Sequence, residues 1–420
     1  MYIAIGRFNV HNKAMKFFSI VLPLLAALTL CADRGFAQDD NAVLRFTTAE
    51  NSTKLHFEVA DNLILVRASL NGSAPEWFIF DTGAESSVVN QTFAKQIGLR
   101  SEGTTVGNGA TGSATAGIIK GVTLRLGDLE AKNLTVYALS IGSFEPILGS
   151  RISGIIGNDV IGKVVADIDY IEGILTLYSQ DAFKPDSGAE VVPILIEGNV
   201  PFVKTMVTPV GRKPVAAKLE IDTGSTGAVL FNSPFVRKHQ LIGSLPRSME
   251  RKTGGVGGTT KAIVGRAASV QLGGSTISEP IAVLYIGNKG ENASDEYDGL
   301  LGGAIFRRFR MAVDLAGKRL FLQPTASVND PFETDMSGLE LLANGKELTG
   351  LLVDDVKPGS TAARAGVRGG DLITSINGRP ASDIGLQEAH RMMRTPGEYD
   401  LTLLRRGRAI KVHLSLKRVV

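Results

Sequence analysis

Two copies of the tripeptide Asp-Thr-Gly are the residues best suited to chemistry in this sequence of 420 residues. They occupy positions 81–83 and 222–224, and each follows a run that reads as a strand, Phe-Ile-Phe and Leu-Glu-Ile. One copy alone is most simply a hairpin corner, because Asp, Thr and Gly all suit tight turns. Average residue frequencies predict about 0.1 such tripeptides by chance in a chain of this length, so a matched pair indicates two carboxylates with a shared task.

Two carboxylates brought close together have a chemistry that a single one lacks. They cannot both ionise at short distance, so they share one proton and their apparent pKa values separate. The ionised carboxylate can take a proton from water, and the protonated one can donate a hydrogen bond to a peptide carbonyl oxygen. The pair Asp81 and Asp222 therefore predicts peptide hydrolysis without a metal, a cofactor or a covalent intermediate.

An internal repeat explains how the two tripeptides could meet. Residues 55–90 are echoed at 192–232, where two strand-like runs and a polar turn again lead to a strand and Asp-Thr-Gly. Each copy ends with two aliphatic residues and a glycine, Ile155-Ile156-Gly157 and Leu300-Leu301-Gly302. Short apolar runs broken by Gly, Asn and Asp predict a mainly β fold with two homologous lobes.

The repeat also sets the predicted domain boundaries. After Leu322 the pattern stops, and a segment rich in Pro, Ser, Thr and Asp reads as a linker. The predicted units are a signal peptide at 1–37, an N-terminal lobe at 43–185, a C-terminal lobe at 186–325, a linker at 326–336 and a third unit at 337–420.

The Asp-Thr-Gly motifs and the aliphatic-glycine elements resemble the retropepsin and pepsin superfamily of aspartic peptidases over residues 50–325. The resemblance implies two β-barrel lobes that contribute one catalytic aspartate each, Asp81 and Asp222. It implies that the threonines bond across the lobe interface and that the aliphatic-glycine elements pack beneath the loops. The implied supporting residues are Thr82, Gly83, Ala84, Thr223, Gly224 and Ser225.

The two motifs differ in the residue that follows the glycine. Ser225 could donate a hydrogen bond to its aspartate, whereas Ala84 cannot. Because hydrogen bonds to a carboxylate favour its charged form, this difference predicts that Asp222 is the ionised partner.

Two glycine-rich segments are predicted to form flaps over the cleft, with glycines that allow opening and closing. The predicted flap residues are Gly107, Asn108, Gly109 and Ala110 in the first lobe and Gly255, Val256 and Gly257 in the second. The tyrosine that pepsin-like enzymes carry on their flap is absent from residues 104–120. Residues 107–112 also match Gly-x-Gly-x-x-Gly, but no helical pattern follows, which argues against nucleotide binding.

Residues 337–420 resemble a PDZ domain of the kind attached to bacterial proteases, an α+β unit. The resemblance rests on VKPGSTAARAGVRGGDLITSINGRP at 356–380. It implies that a C-terminal peptide adds a strand to the sheet while backbone amides hold its carboxylate. The implied carboxylate-binding residues are Gly338, Leu339, Glu340 and Leu341. The alternative is a unit that only packs against the lobes.

The N-terminus predicts export. Basic residues precede an apolar run at 17–30, and a small residue, Ala37, follows at a suitable cleavage point. An uncleaved membrane anchor is the alternative, and Cys31 at the end of the run raises lipidation as another. The first 37 residues hold four basic residues and one acidic residue, so the remainder carries equal numbers of each. The pI of 8.8 is therefore no argument for nucleic-acid binding.

The sequence as a whole favours an exported, periplasmic or envelope-associated aspartic endopeptidase that carries a PDZ unit. Its expected substrates are extended polypeptides with apolar side chains near the cut. A catalytically idle peptide-binding scaffold that acts through its PDZ unit is the alternative. The five histidines are isolated, and HExxH, GxSxG and P-loop motifs are absent from the sequence.

Overall fold

A computed structural model describes residues 42–418 of the protein. The predicted signal peptide at 1–37, with Cys31, lies outside the described residues. The predicted mainly β fold is confirmed, with two β lobes followed by a smaller α+β unit.

The first lobe contains eleven strands and three short helices. Its strands are Val43–Phe46 (β1), Ser52–Ala60 (β2), Leu63–Leu70 (β3), Glu76–Phe80 (β4), Val88–Asn90 (β5), Gly103–Gly109 (β6), Gly112–Leu126 (β7), Leu129–Leu139 (β8), Gly154–Ile156 (β9), Val165–Asp169 (β10) and Ile174–Tyr178 (β11). Its helices are Gln91–Gln96 (α1), Glu145–Leu148 (α2) and Asn158–Ile161 (α3), with a 3-10 turn at Gly142–Phe144.

The second lobe repeats this pattern. Its strands are Glu190–Pro193 (β12), Leu195–Glu197 (β13), Val200–Thr208 (β14), Val215–Ile221 (β15), Val229–Phe231 (β16), Met249–Gly255 (β17), Gly258–Arg266 (β18), Ser269–Leu272 (β19), Ser275–Ser278 (β20), Ile281–Tyr285 (β21), Gly299–Leu301 (β22), Phe309–Asp314 (β23) and Arg319–Pro324 (β24). Its helices are Ser233–Lys238 (α4) and Gly303–Phe306 (α5), with 3-10 turns at Leu241–Ser244, Glu291–Ala293 and Ala326–Asn329.

The C-terminal unit is a small sheet with two helices. Its strands are Leu339–Asn344 (β25), Gly350–Val356 (β26), Leu372–Ile376 (β27), Arg379–Pro380 (β28), Gly397–Arg405 (β29) and Arg408–Leu416 (β30). Its helices are Thr361–Arg364 (α6) and Ala381–Met393 (α7), and β25 forms one edge of the sheet.

The aliphatic-glycine elements form short strands that cross beneath the Asp-Thr-Gly loops. Strand β9 pairs in parallel with β4 and antiparallel with β5. Strand β22 makes the same two kinds of pairing with β15 and β16. The strands before and after each Asp-Thr-Gly loop therefore pair with the same short strand, and this pairing fixes the position of the loop.

A continuous sheet joins the two lobes. Strands β10 and β23 pair antiparallel across the interface, from Val165 opposite Asp314 to Asp169 opposite Arg310. The sheet runs in the order β12, β24, β23, β10, β11 and β2, so both lobes contribute strands to it. The inner faces of both lobes contribute to one hydrophobic core. The relative orientation of the lobes is thus set by main-chain hydrogen bonds.

The segment predicted as a linker, 326–336, is packed against the second lobe. The Arg308 side chain, in a residue that is 2% exposed, donates hydrogen bonds to the carbonyl oxygens of Ser327 (2.9 Å) and Asp330 (2.6 Å). Its guanidinium also lies 3.7 Å from the centre of the Phe332 ring. A buried guanidinium needs several acceptors, and the backbone of this segment supplies them.

Candidate active site

The structure brings Asp81 and Asp222 together at the ends of β4 and β15. Both side chains are buried. The amide of Asp81 donates to the carbonyl oxygen of Ile156 (3.0 Å), and that of Asp222 donates to the carbonyl oxygen of Leu301 (3.0 Å). Inside each loop the glycine amide donates to the carboxylate at 2.8 Å. The two halves are related by an approximate twofold axis.

Thr82 and Thr223 lock the two loops together. The amide of each threonine donates to the hydroxyl of the other, at 3.0 and 3.1 Å. Each hydroxyl in turn donates to a carbonyl oxygen of the opposite lobe, Ile221 (2.6 Å) or Phe80 (2.7 Å). All these groups are buried, so water cannot replace any of the bonds, and the loops are held rigidly.

The glycines allow the carboxylates to face one another. A methyl group on Gly83 would come within 2.7 Å of Asp222 Oδ1, and one on Gly224 would overlap the Asp81 carboxyl group. Each carboxylate therefore lies against the backbone of the opposite loop, where only glycine leaves room for it.

The two aspartates have different proton affinities. Burial raises the pKa of Asp81 to about 6, against the lowering effect of its hydrogen bonds from Gly83 and Asp222. Burial raises the pKa of Asp222 well above its ordinary value, and the charges of Asp81 and Glu220 add to the effect. The shared proton therefore resides on Asp222, which donates to Asp81.

This assignment reverses the prediction that Asp222 is the ionised partner. Within the described residues, the Ser225 hydroxyl forms no hydrogen bond, so the predicted bond to Asp222 is not made. Burial is the largest cause that disfavours ionisation of Asp222, and the neighbouring acids Asp81 and Glu220 add to it. Asp81 is consequently the carboxylate of the pair.

Glu220 is the buried residue that sequence reasoning missed. It lies two residues before Asp222, and the period of two in a strand places both side chains on the same face. A methyl group on Gly83 would lie 2.7 Å from Glu220 Oε1 and 2.7 Å from Asp222 Oδ1. The first copy of the repeat has Ile79 at this position. The sequence signal that could have identified Glu220 was an acid at a position where the other copy of the repeat has an aliphatic residue.

The predicted flap residues lie on two hairpins whose tips meet. Gly107, Asn108 and Gly109 end β6, with Ala110 in the turn, and Gly255 ends β17, with Val256 and Gly257 in the turn. The tips cross, since the Thr111 hydroxyl donates to the carbonyl oxygen of Gly258 (2.8 Å).

Each flap tip packs on the floor of the opposite lobe. Val256 packs with Ile79 and Ala84 of the first lobe. Ala110 packs with Tyr285 and Leu300 of the second lobe. The two hairpins must therefore separate before a polypeptide can enter.

The predicted carboxylate-binding residues of the C-terminal unit are already engaged. The amide of Gly338 donates to Asp335 Oδ1 (2.6 Å), and that of Leu339 donates to the Ser337 hydroxyl (3.0 Å). Glu340 and Leu341 lie within β25, paired with β26. This conformation therefore presents no open pocket for a carboxylate at these amides.

The first lobe covers the groove beside β25. Helix α2 lies along this edge strand. The side chain of Gln387 on α7 donates to the carbonyl oxygen of Leu148 (2.7 Å) and accepts from the amide of Asp61 (2.7 Å). Arg394 pairs with Asp61 at 3.0 Å. A peptide could reach β25 only after this contact opens.

Comparisons with known proteins agree with parts of this geometry. Residues 66–160 match the aspartyl protease family, and residues 352–405 match the PDZ domain family. The first match includes Asp81 and ends before the second lobe. The chain thus carries an aspartyl protease domain and a C-terminal PDZ domain.

Individual relatives are similar over a short stretch. The chain is 44% identical over 69 residues to the periplasmic serine endoprotease DegP of Salmonella typhimurium, which is 16% of this chain and 14% of that protein. It is 40% identical over 68 residues to the periplasmic pH-dependent serine endoprotease DegQ of Escherichia coli, 16% of this chain and 15% of that protein. The chain thus spans about one seventh of the length of these relatives.

None of the helices within residues 42–418 has the length and apolar character needed to cross a membrane.

Replacement of Glu220 by glutamine should stabilise the protein at neutral and higher pH. Burial raises the pKa of Glu220 well above its ordinary value, so its contribution to stability is full in acid and is lost as the pH rises through the native pKa. We expect the unfolding temperature of Glu220→Gln to exceed that of wild type by about 2 °C or more at pH 8, with a smaller difference at pH 5. Thermal unfolding followed by circular dichroism measures this.

The exposed Glu58, on β2, supplies the control. Glu58→Gln should leave the unfolding temperature unchanged at both pH values. An unfolding temperature of Glu220→Gln below that of wild type at pH 8 would contradict the buried, unpaired state of Glu220.

Loss of the contacts at α7 should expose the edge strand of the PDZ domain. The double variant Gln387→Ala with Arg394→Ala removes the bonds to Leu148 and Asp61, so we expect faster hydrogen exchange at 339–344 and 145–149. Mass spectrometry of peptic fragments measures the exchange. The exposed Arg406→Ala serves as the control, and unchanged exchange in the double variant would show that α2 does not cover the strand.

Proposed function

We propose that the protein is an exported aspartic endopeptidase that acts in the periplasm and cuts extended polypeptides. The observation that carries this proposal is the pair of buried carboxyl groups, Asp81 and Asp222, on two loops locked by Thr82 and Thr223. The match of residues 66–160 to the aspartyl protease family supports it. The periplasmic relatives support the location.

We assign the chemistry to aspartates although the relatives are named serine endoproteases. The likeness to DegP covers only 16% of the chain. The match to the aspartyl protease family includes the first Asp-Thr-Gly loop, and the repeat places the second loop at the equivalent position. We therefore assign the mechanism to the pair of carboxyl groups.

In the proposed reaction, Asp81 is the general base. Its carboxylate takes a proton from a water molecule as the water oxygen attacks the carbonyl carbon of the scissile bond. Protonated Asp222 donates a hydrogen bond to the carbonyl oxygen and supports the negative charge that develops there. The tetrahedral intermediate collapses when the proton that Asp81 took from water passes to the leaving nitrogen, so the C–N bond breaks and Asp81 is again a carboxylate.

The remaining structure fits the handling of a polypeptide. Crossed flap tips at Ala110 and Val256 would close over an extended chain and exclude water. The PDZ domain, docked on the first lobe through Gln387, would regulate access or bind C-terminal peptides after release. The scaffold alternative is disfavoured because the groove that it needs is covered in this conformation.

Replacement of either aspartate should abolish cleavage. Asp81→Asn removes the base and Asp222→Asn removes the acidic proton that supports the carbonyl oxygen, so we expect kcat/KM to fall by about 10²–10⁴-fold in each. Cleavage of an unfolded protein substrate, followed by mass spectrometry, measures this. Asp128→Asn, in an exposed turn, is the matched control, and full activity in either active-site variant would refute the aspartic mechanism.

The pH dependence should be bell-shaped and displaced toward neutrality. Activity needs Asp81 ionised, and its pKa of about 6 sets the rising limb of kcat/KM. Activity also needs Asp222 protonated, so the rate falls at higher pH as this group loses its proton. Measurement of kcat/KM between pH 3 and pH 9 tests this. An optimum between pH 3 and pH 4 would contradict it.

A further inference from the structure

The two sides of the cleft floor differ in chemistry. On the first-lobe side, Ile79 packs with Leu139, Ile141 and Val256. An adjacent cavity of about 320 Å³ is lined by Ile141, Phe144 and other largely apolar residues. On the second-lobe side, Glu220 occupies the position equivalent to Ile79. The duplication thus supplies one apolar floor and one acidic floor.

The charges of two further acids, Glu85 and Glu291, act on Glu220. The pKa of Glu220 is raised by burial and then by the charges of Asp81, Glu291 and Glu85. Glu85 follows the first Asp-Thr-Gly loop, and its own pKa is raised to about 7 by burial and by Glu291. Glu291 accepts a hydrogen bond from Asn108 at the first flap. Glu85 belongs to the first lobe, whereas Glu220 and Glu291 belong to the second.

Within the described residues, Lys218 is a cation close to the acidic side of the cleft, with its Nζ 4.9 Å from the centre of the Phe202 ring. In the part of the chain that the structure describes, no lysine or arginine forms an ion pair with Glu85, Glu220 or Glu291. The nearby cation Lys218 is held by Glu197 at 2.7 Å. A cation from a bound molecule would therefore be the first to form an ion pair with these acids.

One oxygen of the Glu220 carboxyl group has no hydrogen-bond partner in the part of the chain that the structure describes. The residue is 1% exposed, and this oxygen is Oε1. A buried carboxyl group without a partner is costly. Because the same atom lies beside Asp222 Oδ1 over Gly83, a ligand that satisfied it would lie next to the proposed reaction centre.

The neighbours of Glu220 fit a long side chain with a charged end. Phe202 lies opposite Glu220 on β14, and Tyr297 packs against Phe202 at 5.3 Å between ring centres. Leu300 lies beside Glu220 on β22. Apolar surface of this kind can pack against the methylene stem of lysine or arginine while the charged end reaches the carboxyl group.

We propose that Glu220 selects a lysine or arginine side chain of the substrate next to the scissile bond, on the second-lobe side of the cleft. Glu85 and Glu291 add negative charge that favours the same side chain. The inference rests on the proposed endopeptidase function. It limits the expected preference for apolar substrate side chains to the Ile79 side of the cleft. The preferred cut therefore lies between an apolar and a basic residue.

Matched peptides test this selection. One extended peptide is made in versions that carry Lys, Arg, Met or Glu at each of the two positions that flank the mapped cut. Methionine is the neutral control, because its length approaches that of lysine. We expect wild type to cut the best Lys or Arg version at least about tenfold faster in kcat/KM than the Met version, with Glu slowest.

Two variants distinguish substrate selection by Glu220 from effects of Glu220 on folding and on the pKa values of the aspartates. Glu220→Ile copies the residue of the first lobe and should reduce the Lys/Met ratio, measured within the variant, to about one. Glu220→Gln keeps the shape and should also lose most of the ratio. Unfolding temperatures at or above that of wild type verify that both variants fold. Ile79→Leu, on the opposite side, should keep the ratio.

The outcomes distinguish this inference from the proposed function. Cleavage that is lost in Asp81→Asn but shows no preference for Lys or Arg, or a preference unchanged in Glu220→Ile, overturns the inference alone. A shifted pH profile with an unchanged Lys/Met ratio overturns it as well, because Glu220 would then only tune Asp222. If wild type and Asp81→Asn cut all peptides equally, the proposed function fails and the inference fails with it.

Discussion

The hydrogen bonds between Thr82 and Thr223 are the interaction on which the rest of the site depends. Each hydroxyl both accepts from the opposite loop and donates to the opposite lobe. An isolated buried bond contributes about 1 kcal/mol, and a buried group left unsatisfied costs more. Removal of one threonine would leave several such groups without partners. The network therefore holds two loops, 141 positions apart, in one fixed arrangement.

The lobes support this arrangement from outside. Strands β10 and β23 join them by main-chain pairing, and β9 and β22 brace the two loops from below. Because the loops are fixed before any ligand arrives, the carboxyl groups need little reorganisation when charge develops. Preorganised polar groups of this kind account for much of the catalysis by enzymes with buried sites.

The two Asp-Thr-Gly loops have the same backbone arrangement, but the charged surroundings of their aspartates differ. The loops match in their hydrogen bonds, but Ile79 and Glu220 give the two aspartates different surroundings. Burial of Asp222, together with the neighbouring acids Asp81 and Glu220, keeps the shared proton there and leaves Asp81 as the base. Glu220, which makes the surroundings of the two aspartates unequal, is also an unpaired acid on the cleft floor. One substitution within the repeat thus affects both the chemistry and the surface that a substrate meets.

The sequence by itself determined the local features of the protein. Period-two strands, turn residues and the repeat predicted a mainly β fold with two lobes and the Asp-Thr-Gly turns, because these depend on neighbouring residues. The resemblance to aspartic peptidases implied the strands beneath the loops and the flap hairpins. Only the tertiary structure decided which aspartate carries the proton. That depends on the burial of Glu220 and on an absent bond from Ser225. It also decided that residues 326–336 dock through Arg308 and that the groove of the PDZ domain is covered through Gln387. These features depend on contacts between residues far apart in the chain, for which no local pattern exists.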